Sequence, residues 1–79
     1  GWSVPVNALN QWVRGMPEPG MSIEETRLEQ GRLSFLSQED WLIEYQSYEQ
    51  VDMVWLPRRL KITRPDLNIK LIVEQWNLS

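Results

Sequence analysis

Apolar residues near the amino terminus recur three or four positions apart, which predicts an α-helix. We place it at residues 6–14, because Gly15 suits the left-handed residue that follows a helix and Pro17 prevents its continuation. Pro5 fits just before or within the first turn, where its missing N–H leaves no hydrogen bond unmade. The apolar positions on this helix face are Val6, Leu9, Trp12, Val13 and Met16.

From residue 23 onward the apolar period changes to two, which is typical of β-strands. Turn residues interrupt the alternation every eight to twelve residues, a spacing that favours an antiparallel meander. Residues 49–54 are predicted to be a connecting loop. Pro57 fits only the start of a strand or a sheet edge, because proline cannot donate to the ladder. The predicted strands are 23–29, 32–37, 41–48, one that opens at Leu56–Pro57 and runs to the turn at 63–66, and 67–76.

One short helix followed by about five antiparallel strands predicts a single α+β domain over residues 1–79, with the helix at 6–14 and the β meander at 23–76. Five strands are too few to close an ordinary barrel, so we expect a curved sheet that keeps two edges. A helix of nine residues covers only part of one sheet face, so another part of a longer protein, a second copy or an apolar ligand is expected to cover the rest. The predicted apolar face consists of Leu33, Phe35, Trp41, Ile43, Tyr45, Leu60, Ile62, Ile69, Leu71 and Val73.

Composition narrows the classes of function. The chain has neither Cys nor His, which excludes disulfides, Cys/His metal sites, histidine general bases and cysteine nucleophiles. Eight basic against eleven acidic residues give a net charge of −3. That balance argues against a nucleic-acid-binding protein, since such proteins need a basic face. We therefore predict a binding domain without metal or cofactor rather than an enzyme.

Three further features have two interpretations each. The carboxylate pairs Glu24–Glu25 and Glu39–Asp40 are unconvincing as acid/base pairs and fit a solvated surface better. The basic cluster at residues 58–64 either contacts acidic lipid headgroups or an acidic carrier, or, as we prefer, provides solubility and protects a sheet edge. The five tryptophans either enlarge a small core, the favoured interpretation, or line an apolar cavity.

Several motifs follow one another in an order that characterises a known family. The most specific are the helix-and-loop segment Trp12–Pro17 and the Leu56–Pro57 element. The others are Gly1–Pro5 with Leu9, Gly31–Leu33, Trp41 with Ile43 and Tyr45, Tyr48, Leu56–Leu60, Lys70–Val73 and Trp76. Taken together over nearly the whole chain, they resemble the LolB family of outer-membrane lipoprotein receptors.

The resemblance implies an open antiparallel half-barrel, whose helices form a lid over a concave apolar cavity for lipoprotein acyl chains. Family members take lipoproteins from the periplasmic carrier LolA and insert them at the periplasmic face of the outer membrane. The resemblance covers only the C-terminal part of such a receptor, so the family's signal sequence, lipidated Cys, N-terminal strands and protruding apolar loop are not expected within these residues. We therefore expect a fragment that binds lipid poorly alone or that covers its open face with another copy.

Under this resemblance, apolar residues of the helix and the sheet line the acyl cavity, although ordinary core packing is the alternative for each. The alternative function is a protein–protein interaction module that uses the open sheet face or edge, for example as a homodimer. A lipid pocket takes up acylated peptide saturably, whereas an interaction module self-associates with rising concentration. The predicted cavity residues are Leu9, Trp12, Val13, Met16, Leu33, Phe35, Trp41, Ile43, Tyr45, Leu60, Ile62, Leu71 and Val73.

Overall fold

A computed structural model describes residues 5–74 and residue 76. In this part of the chain one short helix precedes an open, five-stranded antiparallel sheet, which confirms the predicted α+β class. Each strand pairs with the next along the chain, in the order β1-β2-β3-β4-β5. The elements are α1 (Val6–Trp12), β1 (Ile23–Glu29), β2 (Arg32–Gln38), β3 (Trp41–Val51), β4 (Val54–Arg64) and β5 (Leu67–Ile72).

Helix α1 ends two residues before the predicted boundary because its last turn closes with a different hydrogen-bond pattern. The Gly15 N–H donates to the carbonyl of Trp12 at 2.9 Å. The Met16 N–H donates to the carbonyl of Gln11 at 3.1 Å. This pair of bonds, with Gly15 at φ +79°, is the Schellman arrangement that ends many helices. The sequence therefore identified the correct glycine, and the regular helical bonding stops just before it.

The predicted loop at residues 49–54 is wrong, because the two flanking strands continue through it. β3 runs to Val51 and β4 begins at Val54, so only Asp52 and Met53 form the turn. Both turn residues have positive φ, 49° and 70°, which is the hairpin geometry that matches strand twist. Asn and Gly are the usual residues in such a turn. Met53 is not one of these residues, so the sequence did not predict the hairpin.

Pro57 does not open a strand, since it is the fourth residue of β4. Two features accommodate it. The β3–β4 register shifts between Ser47 and Tyr48, opposite the proline. On the other side, the strand pairing of β5 begins only at Arg59. Pro57 therefore pairs with Tyr48 beside a register shift and has no β5 residue paired to it on the other side, so it occupies a local edge of the sheet.

The last strand is shorter than the predicted 67–76, because β5 ends at Ile72. Beyond it the Val73 N–H donates to the carbonyl of Arg58 at 2.7 Å. The Trp76 indole N–H donates to the carbonyl of Pro57, also at 2.7 Å. Residue 75 of the predicted strand lies outside the described residues.

The alternation along β2 contains one extra residue, which changes the face of Phe35. Leu33 pairs with Leu28, but Phe35 pairs with Arg27, so Ser34 is the additional residue of a β-bulge. Beyond the bulge Leu36 and not Phe35 enters the core, where it is fully buried. The Phe35 ring instead lies under the Arg27 guanidinium at 4.6 Å. Its prediction as part of the apolar core face is wrong.

Gly15 provides a test of how the loop after α1 is held against the sheet. We expect Gly15→Ala to lower the free energy of unfolding by about 1–2 kcal/mol or more, because an L-residue is strained at this φ. The added Cβ would also lie 3.3 Å from both Pro57 Cγ and the Tyr48 hydroxyl. Urea denaturation measures the change. Gly20→Ala is the control, since its Cβ meets only a Glu18 carboxylate oxygen at 3.7 Å; equal losses in both variants would contradict the assignment.

Candidate functional site

Most of the predicted cavity residues lie between α1 and the sheet, but they fill this space as a packed core. Ala8 and Leu36, which the sequence did not single out, complete the buried cluster. The centre of the sheet face is therefore covered by α1 and the following loop, while the apolar residues around it are only partly buried. The predicted residues in the buried cluster are Trp12, Trp41, Ile43, Tyr45, Leu60 and Ile62.

The remaining predicted residues divide into two groups. Leu9, Val13, Leu33 and Leu71 are half-buried and pack against the rim of the core. Three others are not part of this cluster: Met16 is exposed, Phe35 lies on the other face, and Val73 follows the end of β5. Leu67 and Ile69 of β5 are half-buried on the same rim.

A fully buried amide, Gln38 of β2, holds α1 and its loop to the sheet. Its Oε1 accepts from the Trp12 indole N–H at 2.7 Å and from the Glu18 N–H at 2.9 Å. Its Nε2 donates to the carbonyls of Glu18 at 2.9 Å and Met21 at 3.1 Å. All the hydrogen-bonding capacity of the side chain is thus used inside the protein. Gln38 was not predicted because the predicted strand 32–37 ends one residue before it, although its spacing from Leu36 places it on the core face.

A second polar contact joins the helix to β3. The Tyr45 hydroxyl donates to the carbonyl of Trp12 at 2.6 Å. Burial raises the pKa of Tyr45 above its ordinary value, and the neighbouring Tyr48 raises it further. The rings of Trp12 and Trp41 pack at 5.8 Å between centroids. We call the bonds of Gln38 and Tyr45 to residues 12–21 the polar latch.

An open groove of about 400 Å³ lies beside the core, at the end of the β1–β2 hairpin. Its apolar walls include Leu28, Leu33, Tyr48 and Trp55. The Arg32 guanidinium lies over the Trp55 ring at 4.3 Å and near the Tyr48 ring at 5.7 Å. We call this feature the Arg32 groove. No sequence pattern indicated it, because its walls come from separate strands and from the loop after α1.

Tyr48 forms the floor where this groove meets the core. Its hydroxyl donates to the carbonyl of Leu33 at 2.7 Å. Burial raises the pKa of Tyr48 to about 12, although the nearby Arg32 charge acts in the opposite direction. The phenol is therefore a neutral hydrogen-bond donor at physiological pH.

The charged clusters noted in the sequence have surface contacts. Glu25 pairs with Arg27 at 2.6 Å, and Arg58 pairs with Glu49 at 3.0 Å. Glu24 accepts from the Ser37 hydroxyl at 3.3 Å. Among the described residues no group of three or more carboxylates is arranged to hold a metal ion, and no helix has the length and apolar character needed to cross a membrane.

Comparison with known proteins supports the motif resemblance over almost the whole chain. The family described as "Outer membrane lipoprotein LolB" matches residues 1–76. The chain is 45% identical over 80 aligned positions to the outer-membrane lipoprotein LolB of Chromohalobacter salexigens, covering 99% of this chain and 36% of that protein. It is 40% identical to LolB of Pseudomonas fluorescens Pf-5, with 96% of this chain and 37% of that protein covered. The chain thus spans little more than a third of the length of these relatives.

Removal of the Gln38 amide is expected to release α1. We predict that Gln38→Leu lowers the free energy of unfolding by about 2–4 kcal/mol, because it leaves buried donors and acceptors without partners. Hydrogen exchange of the Trp12 indole N–H should accelerate at the same time. Gln46→Leu, at an exposed position of β3, is the matched control. Equal stability of the two variants would show that the latch contributes nothing.

The two tyrosines predict a loss of stability at alkaline pH. Because the folded pKa of Tyr48 is about 12 and the unfolded value is about 10, the unfolded chain releases its proton first as the pH rises. The stabilisation is therefore complete below pH ~10 and is lost as the pH rises through about 12. Tyr48→Phe should flatten the decrease, as measured by chemical denaturation at a series of pH values. An unchanged slope would contradict the buried, neutral phenol.

Proposed function

Because this chain belongs to the LolB family, we propose that it is the acyl-binding part of an outer-membrane lipoprotein receptor. The receptor takes lipoproteins from the periplasmic carrier LolA and inserts them into the outer membrane. Its site of action is the periplasmic face of that membrane, a location supported by the names of its relatives. The role is non-enzymatic and needs no cofactor, because transfer of an acyl chain between apolar sites breaks no covalent bond.

The observation that carries this proposal is the packing of one short helix on the apolar face of an open sheet. Trp12 is fully buried against Ile43 and its neighbours, and α1 has only seven residues. Isolated helices shorter than about 12 residues are marginal in water, so α1 depends on this packing. Such a helix is a suitable lid, because it is no longer stabilised when another apolar group replaces it on the sheet face.

The free energy of burial favours an acyl chain over α1 as the group that covers the sheet face. Burial contributes about 0.8 kcal/mol per CH₂ group, so a long acyl chain supplies on the order of 10 kcal/mol. Each hydrogen bond of the polar latch contributes about 1 kcal/mol net, and the burial of a large side chain such as Trp12 about 3 kcal/mol. Acyl chains therefore displace the helix from the sheet, and they leave again when the membrane offers them an equally apolar environment.

The half-buried rim along β5 is the entrance in this proposal. Leu67, Ile69 and Leu71 pack against the core but are not completely covered. Across the β4–β5 pairing Ile69 lies opposite Ile62 and Leu71 lies opposite Leu60, so an acyl chain that contacts the rim next reaches these two core residues. The predicted cavity residues Leu60, Ile62 and Leu71 would then act together as its floor.

The test is a titration of intrinsic Trp fluorescence with a diacylated lipopeptide, compared with the same peptide without acyl chains. We expect a saturable change with the acylated form alone, while light scattering excludes aggregation. Sedimentation at several protein concentrations tests the alternative interaction module. Self-association without any acyl-dependent change would favour that module and contradict the acyl site.

A pair of neighbouring substitutions makes the test specific. Leu71→Gln on the core-facing rim should weaken lipopeptide binding by about tenfold, which corresponds to the loss of one buried aliphatic contact. Ile72→Gln is the matched control, since this side chain is 60% exposed and points away from the core. Equal affinities for both folded variants would contradict the proposed floor.

A further inference from the structure

We infer that the Arg32 groove binds a single-chain amphiphile with an anionic headgroup. This site is distinct from the space between α1 and the sheet, and the inference does not depend on the proposed function. The groove is open without any movement of the helix. Its volume of about 400 Å³ lies within the usual range for small-molecule sites, about 300–1,000 Å³.

The apolar walls accept the chain of the ligand. Leu28 on β1 is 65% exposed, and its pairing partner Leu33 continues the same surface towards the core. Trp55, which is 45% exposed, forms the opposite wall. Burial of this exposed apolar area against a ligand chain is favourable, whereas the free protein leaves it in contact with water.

The charges of the groove select an anion. Arg14 and Arg32 both line it, and no Asp or Glu is among its lining residues, although the whole chain carries a net charge of −3. Within the described residues neither arginine forms an ion pair with a carboxylate. Glu29 lies opposite Arg32 in the β1–β2 pairing and lines the adjoining pocket with it, but among the described residues the two form no ion pair. Two guanidinium groups beside apolar walls, neither within ion-pair distance of a carboxylate, are complementary to an anionic head on an apolar chain.

Arg32 is already oriented for this role. Its guanidinium stacks on Trp55 at 4.3 Å, and one of its N–H groups donates to the Gln30 side-chain oxygen at 2.7 Å. These contacts hold the planar group at the groove wall and leave further N–H donors for a ligand, since a guanidinium has five. The remaining donors provide the bidentate geometry that carboxylate and phosphate groups accept.

The experiment uses dodecyl phosphate below its micellar concentration, with dodecanol and dodecyl maltoside as uncharged comparisons. We expect saturable amide NMR shifts at Thr26, Gly31 and Arg32 with dodecyl phosphate, and binding at least tenfold weaker for the uncharged compounds. Equal affinities for the charged and uncharged probes would overturn the proposal. Shifts produced only by phosphatidylglycerol vesicles would also overturn it, because the site would then recognise a membrane surface and not a single amphiphile.

Two matched substitutions distinguish binding in the groove from a nonspecific effect of the total charge of the protein. Arg32→Gln should weaken dodecyl phosphate binding by tenfold or more, whereas Arg59→Gln, an exposed site outside the groove, should change it less than twofold. Equal effects would contradict a localised site. The NMR shifts with dodecyl phosphate and the fluorescence change with lipopeptide report on different sites. A negative result in one experiment does not predict a negative result in the other, so the two proposals are tested separately.

Discussion

The buried hydrogen bond between Trp12 and Gln38 determines how the helix, the loop after it and the sheet pack together. A tryptophan can fill the centre of this small core only if its indole N–H finds a partner away from water. Gln38 supplies the acceptor and is itself buried, so its other hydrogen bonds must also come from the protein. The backbone of Glu18 and Met21 provides them, and this fixes the path of the loop. One buried bond thus positions the helix, the loop and β2 together.

The hydrogen bonds of Gln38 also explain why the centre of the sheet face is buried although the helix that covers it has only seven residues. The helix contributes one large side chain, and the loop beyond it is held down by the backbone groups that satisfy Gln38. The turn at Gly15 brings the chain back over Tyr48 and Pro57, which removes space for any side chain there. The apolar surface that stays exposed to water lies at the edges of the core, along β5 and in the Arg32 groove.

The sequence predicted the order and type of the elements because each strand alternates locally and most turns contain recognisable residues. It failed where the outcome depends on a partner strand. The bulge at Ser34 is a property of the β1–β2 pairing, so alternation alone assigned Phe35 to the wrong face. The Asp52–Met53 hairpin is fixed by the pairing of Val51 with Val54 and not by its own residues. Likewise, the pattern identified most of the apolar core residues but not Ala8 or Leu36, and only the packing of Trp12 shows that the core residues fill the space between helix and sheet.

The filled core and the open groove impose different requirements on a ligand. The sheet face beneath α1 cannot hold Trp12 and an acyl chain at once, so binding there is coupled to displacement of the helix and to loss of the Gln38 bonds. The apparent affinity is reduced by the free energy of that displacement, which a ligand with a large apolar area can supply and a small one cannot. Binding in the Arg32 groove does not require displacement of α1, because the groove walls are exposed while α1 is packed on the sheet. In the two proposals, selection in the groove depends on the charge of the headgroup, whereas selection beneath the helix depends on the apolar area that the ligand buries.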